Sequence, residues 1–366
     1  MNSAAVKKVD GAGVCKAQPA AKFTVPEGVK MRSALLHLGM SMWGGYLCPG
    51  EMRDRNLRYP PRKCPTDKDL WMEITALMQK RKYNHAVIDL GGGVEFPSHP
   101  ELTQPGSRTP QQVRDEVARL AGMGMEAVPK LNFSACHDAW LGKYERMLST
   151  PKYYKVVEDL IDDACEMFGN PRHVHIGLDE EDGVHGAKDP LMVVRRGELW
   201  WHDFDFYIRT LERHGAQAII FATSPWGRDT DTFYRRVPKS VVMNVGMYGS
   251  FESKEALIAK YERKYGNGAL KYKARVPFIF RELAEKGYGI LTCVSNWSDA
   301  FGDAASALAT NDQSIACVQK YIASEVPSAQ IVGGCVAPWR SVSASRRKIW
   351  MDAINQLADS CDSLGW

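Results

Sequence analysis

What this 366-residue sequence lacks excludes several kinds of protein. No apolar stretch reaches the ~18 residues at which a segment reads as a membrane-spanning helix, so no membrane span is expected. The N-terminus does not run from a basic start through an apolar stretch to a small-residue cleavage site, so no leader is read there. The expected compartment is periplasmic or extracellular if a leader has been removed, and cytoplasmic otherwise. Charge of one sign is also scarce: 47 Lys and Arg face 43 Asp and Glu, a formal net charge of +4, with no long basic run. A nucleic-acid partner, which needs clustered cations on one face, is not expected. The nine cysteines form no CxxC pair and no short spacing, which argues against a disulfide framework or a zinc knuckle. Cys165, Cys293 and Cys335 lie in apolar surroundings and read as small buried hydrophobes. The run Gly91-Gly92-Gly93 has neither the Gly-Lys-Ser/Thr ending nor the GxGxxG spacing of a phosphate loop, and reads as a tight turn that permits close backbone approach.

What is present is the composition of a protein with a large core, 45% hydrophobic and 25% charged. Residues 1–30, rich in Ala, Lys, Gly and Pro without a hydrophobic period, read as a flexible arm or linker, and residues 31–366 as a single domain. Short apolar runs alternate with longer helical patterns from there on. The runs are Ser33 to Met40, His85 to Leu90, Met125 to Phe133, His173 to Glu180, Gln217 to Ala222, Ser240 to Val245, Tyr288 to Val294 and Gln330 to Ala337. Between them, Val157, Leu160, Ile161, Ala164 and Phe168 recur at the three-and-four spacing of one buried helical face, and Ile349, Ile354 and Leu357 mark another after Arg346. Eight such units predict a (β/α)8 TIM barrel, with the C-terminal ends of its strands as the place for chemistry.

The fourth run, His173 to Asp182, carries the densest chemistry. In a strand Val174, Ile176 and Leu178 share one face and His173, His175, Gly177 and Asp179 the other, so the polar face should point into the barrel. The run Asp179-Glu180-Glu181-Asp182 then falls where the strand emerges. Crowded carboxylates raise one another's pKa, and a pair of acids is what glycoside hydrolysis uses. A solvated acidic loop is the plain alternative. A metal site of His173, His175 and Asp179 is a third reading, less specific because no further ligand stands at a defined spacing.

His175-Ile176-Gly177-Leu178-Asp179-Glu180 resembles the His-x-Gly-Gly-Asp-Glu motif of family 20 glycoside hydrolases, the β-N-acetylhexosaminidases, whose catalytic domain is a (β/α)8 barrel. Asn84, Pro100-Glu101-Leu102-Thr103, Val128-Pro129 through His137, and Gly333-Gly334 through Trp339 follow the family's order and rough spacing. The resemblance implies an exo-acting enzyme on a terminal amino sugar. Glu180 would be the general acid/base and Asp179 would orient the substrate's 2-acetamido group, whose carbonyl attacks the anomeric carbon without an enzyme nucleophile. His137 and His175 would stand beside the acids, Trp339 would wall the sugar site, and Trp297, Trp226, Trp43 and Trp140 fall at similar strand ends. The partner implied is an oligosaccharide or glycoconjugate, and no cofactor or metal is called for.

The departures fall on substrate recognition. Leu178 stands at the family's second Gly, and the strand-one Arg has no counterpart in His37 to Trp43. The family's acidic pair on strand three is Lys130 and Asn132 here. Its strand-seven Tyr is Trp297, although Asp299 fits, and the Glu beyond Trp339 is replaced by Arg340 and Ser341. Gaining Lys130 and Arg340 suggests an anionic, sulfated or uronic, sugar. The alternatives are a glycosidase that uses an enzyme carboxylate, Asp89 or Asp299, on a sugar without an acetamido group, and a barrel that binds carbohydrate without cleaving it.

Overall fold

Each of the apolar runs forms a strand, and together the strands close on themselves. The computed structural model describes residues 28–39, 42–43, 58–59, 64, 66–181, 192–222, 230–267, 271–296 and 310–366. The strands are β1 (Met31–His37), β2 (His85–Asp89), β3 (Glu126–Lys130), β4 (His173–Gly177), β5 (Gln217–Phe221), β6 (Val242–Gly246), β7 (Ile290–Val294) and β8 (Ile331–Val336). Every neighbouring pair is parallel and β8 returns to β1, giving a closed barrel of eight strands in sequential order. The (β/α)8 barrel expected from the sequence is the observed fold. Residues 1–27 of the expected arm lie outside the described residues.

The two-residue alternation of each strand divides the core into two layers. Val174, Ile176 and Leu178 face outward into the large shell between strands and helices, with Leu36, Ile88 and Val294. Met31, Leu35, Val87, Val128, Ile219 and Leu291 face inward and fill the barrel. The helix Pro151–Met167 shows how the shell is completed: Thr150 caps it by accepting from the Tyr153 N–H, and Val157, Leu160, Ile161 and Ala164 are buried on one stripe. The helix Arg347–Leu364 likewise buries Ile349, Ile354 and Leu357. Among the described residues no helix is long and apolar enough to cross a membrane. Cys165, Cys293 and Cys335 are free and buried, as expected.

Parallel registry carries inward-facing residues around the barrel at one level. His37 pairs with Asp89, Asp89 with Lys130, and Lys130 with His175, so four polar residues from consecutive strands meet near the C-terminal mouth. The triple glycine lies beside them. A Cβ on Gly93 would stand 2.3 Å from the Gly39 nitrogen, so the two backbones touch as the tight-turn reading requires.

Candidate active site

The site is built where β3 and β4 leave the barrel. After β4 the backbone adopts an unusual path, with positive φ at Gly177 (74°), Leu178 (67°) and Glu180 (55°). Non-glycine residues in this region cost of order 1–3 kcal/mol each and persist only where their surroundings hold them. A Cβ on Gly177 would lie 1.7 Å from Asn132 Oδ1, so glycine is required there by contact as well as by conformation.

This path brings Asp179 and Glu180 to His137. His137 Nε2 lies 3.2 Å from Asp179 Oδ2 and 3.4 Å from Glu180 Oε2. Burial opposes a charge on the imidazole, but the Asp179 charge and the hydrogen bonds of both carboxyls overcome it and raise the His137 pKa to about 10. The same contacts hold Asp179 below its ordinary value against its own desolvation, with a smaller contribution from Lys130. Asn132 Nδ2 donates to Asp179 Oδ1 at 3.1 Å. Glu180 is the more open of the two acids, its side chain 30% exposed against 15% for Asp179.

His175 is fully buried one level below. Its Nδ1 accepts from the Gly177 N–H at 3.1 Å, and its Nε2 is 3.1 Å from the Asn244 side-chain amide. Burial, reinforced by the Lys130 charge, lowers its pKa to about 3, so it is a neutral support for the end of β4. Lys130 does not face outward as a free cation: its Nζ donates to Asp89 Oδ2 at 2.6 Å, and His37 Nδ1 lies 3.0 Å from the same oxygen. Desolvation works against the Asp89 carboxylate, but Lys130 and His37 keep it ionised, with its pKa well below the usual range. Arg340 is also buried, with Nη1 donating to the Trp339 carbonyl at 2.9 Å.

Trp339 is half-buried at the end of β8 with φ 54°, its ring 5.8 Å from Phe221 and 6.2 Å from His37. Trp140 corrects the sequence reading. It is buried, its Nε1 donates to the Asn132 carbonyl at 3.0 Å, and a Cβ on Gly91 would touch its ring, so it braces the β3 loop from the core. Trp226, Trp297 and Asp299 lie outside the described residues, and of Trp43 only the backbone is described, in a short antiparallel ribbon with Arg58–Tyr59. Among the described residues no three His, Cys, Asp or Glu side chains gather as a metal site.

Sequence reasoning missed Tyr248. Its hydroxyl folds back over Gly246, where a Cβ would stand 2.7 Å from it, and lies 3.8 Å from Cys293 Sγ, with its ring edge-on to Trp339. The signal available was the glycine two residues before it on the inward face of β6.

No family model and no curated protein matches the sequence. Among solved structures, the fold is similar to a β-N-acetylhexosaminidase from Bacteroides fragilis NCTC 9343, with a TM-score of 0.58 and 14% identity over 90% of this chain and 66% of that one. It is similar to a GH20 exo-β-N-acetylglucosaminidase from Vibrio harveyi in complex with N-acetylglucosamine, with a TM-score of 0.53 and 14% identity over 92% of this chain and 57% of that one. Dispersin B is similar too, with a TM-score of 0.53 and 12% identity over 91% of this chain and 99% of that one. The chain thus spans less than two thirds of the length of the first two, and at these identities the likeness is one of fold.

Proposed function

We propose that the protein is a glycoside hydrolase that removes a terminal 2-acetamido sugar, with Glu180 as general acid/base and Asp179 orienting the acetamido group. The observation that carries this reading is the convergence of Asp179 and Glu180 on His137 at the C-terminal mouth of a barrel whose fold is similar to hexosaminidases. The imidazolium holds Asp179 as the anion that can accept an amide N–H, and Glu180, the more exposed acid, meets the glycosidic oxygen. The Glu180 proton goes to that oxygen as the bond to the anomeric carbon breaks, and the acetamido carbonyl oxygen forms the new bond to the same carbon. Water then opens the resulting ring, its proton returning to Glu180. Trp339 offers an aromatic face to the sugar, with the Tyr248 ring edge-on to it.

Two further observations favour a neutral acetamido sugar over the alternatives. The cations expected to face an anionic sugar, Lys130 and Arg340, are buried and engaged by Asp89 and by the Trp339 carbonyl. Asp89, a candidate nucleophile, is committed to Lys130 and His37.

Hydrolysis of 4-nitrophenyl glycosides with and without the 2-acetamido group tests the reading, together with inhibition by a thiazoline analogue of the ring intermediate. Turnover of the acetamido substrates alone, lost by about 10²–10⁴-fold in Glu180→Gln, is the expected result. A fully active Glu180→Gln variant would refute the assignment. Glycan binding without turnover would make the barrel a binding protein.

A further inference from the structure

Glu181 follows the acid directly, yet it points the other way and is closed off from water, its side chain 0% exposed. Its Oε1 accepts from the Ala135 N–H at 3.0 Å and from Arg195 Nη2, and its Oε2 accepts from Trp200 Nε1 at 2.6 Å. Arg195, equally buried, also donates to the Phe133 carbonyl at 2.9 Å and to the Tyr207 hydroxyl at 2.5 Å, and pairs with Asp203 at 3.3 Å. Asp203 in turn accepts from Ser149 at 2.7 Å and Tyr154 at 2.5 Å. A buried ionic cluster of this kind is a poor source of stability, because desolvation offsets most of the attraction, but it fixes geometry.

The geometry it fixes is that of the acid. Phe133 and Ala135 belong to the loop that carries His137, and Glu181 is bonded in sequence to Glu180. The same loop is joined to the acidic segment at Ser134 Oγ, which donates to the Asp179 carbonyl, and at Cys136 Sγ, which donates to the Glu180 carbonyl at 2.8 Å. The left-handed backbone at Leu178 and Glu180 is therefore held by the loop after β3. We infer that Glu181, clamped by Arg195 and Trp200, is a positioning residue that sets the Glu180 carboxyl against His137. This rests on the reading of Glu180 as the acid.

Glu181→Gln tests it. An amide has only one acceptor oxygen, so its NH2 must face a donor, Arg195 or Trp200, and the clamp opens. Misplacement of the acid is expected to lower kcat by about tenfold to a hundredfold, with KM changed less than about twofold. The second readout needs no substrate: the His137 imidazole, followed by NMR on histidine-labelled protein and assigned with His137→Gln, should titrate lower by at least about one unit as its carboxylate contacts loosen. Trp200→Phe, which removes a single donor, should move both readouts the same way by less and covers failure of the first variant to fold. Glu126→Gln, which weakens the partly exposed pair with Arg172 at the start of β3, should leave the His137 titration in place. An unchanged His137 titration in folded Glu181→Gln overturns the inference. An inactive wild type overturns the functional reading instead, and the titration still decides the role of Glu181.

Discussion

Replacing His137 by Gln should change how stability depends on pH, and the sign follows from the structure. In the unfolded chain the imidazole has its ordinary pKa of 6.5; folded between Asp179 and Glu180 it is raised to about 10. Below pH 6.5 both states are protonated and the contribution of the contact is complete. Between there and about 10 the unfolded state has lost the proton that the folded state keeps, so stability falls by about 1.4 kcal/mol per pH unit. Over the whole interval the loss is at most about 5 kcal/mol. The depressed pKa of Asp179 is the same interaction seen from its partner and adds nothing on the alkaline side. Unfolding by denaturant at intervals from pH 6 to 10, for wild type and His137→Gln, measures it. The variant should be less stable by about 3–5 kcal/mol near pH 6, where it leaves the buried Asp179 carboxylate without its cation, and the gap should close as pH rises. A gap that stays constant from pH 6 to 10 would refute the bridging imidazolium.

Gly177→Ala should cost about 2–4 kcal/mol, since it adds a Cβ at φ 74° and displaces Asn132 from Asp179; denaturant midpoints would show it, and a loss under about 1 kcal/mol contradicts the contact. Leu178→Gly relieves a left-handed residue but removes a buried leucine, so a net loss of about 2 kcal/mol is expected in the same assay, and a gain would mean that strain dominates. Asp89→Asn strips Lys130 of its partner inside the barrel and should destabilise by about 3–5 kcal/mol, whereas a neutral effect would show that Lys130 finds another partner.

All eight strands were legible because each is short, apolar and bounded by turn residues, and their ends differ from expectation by a few residues. The inward polar face of β4 followed from alternation alone. The nearness of His137 to the acids rested on motif order. Trp140 was misread because a tryptophan at a strand end looks the same whether it lines a cleft or braces a loop. Lys130 read as a cation at the mouth because nothing local shows that its register partner on β2 is Asp89.

By itself, then, the sequence determined the barrel and the placement of Asp179 and Glu180 at the end of β4, since hydrophobic period and strand length are local properties of the chain. Only the tertiary structure decided which acid is open and which is clamped: Glu180 and Glu181 are adjacent and chemically alike. Their difference comes from His137, Ala135, Arg195 and Trp200, which other segments bring to opposite sides of one strained turn. Backbone conformation at Leu178 and Glu180 sends the two carboxylates apart, and long-range packing holds that conformation.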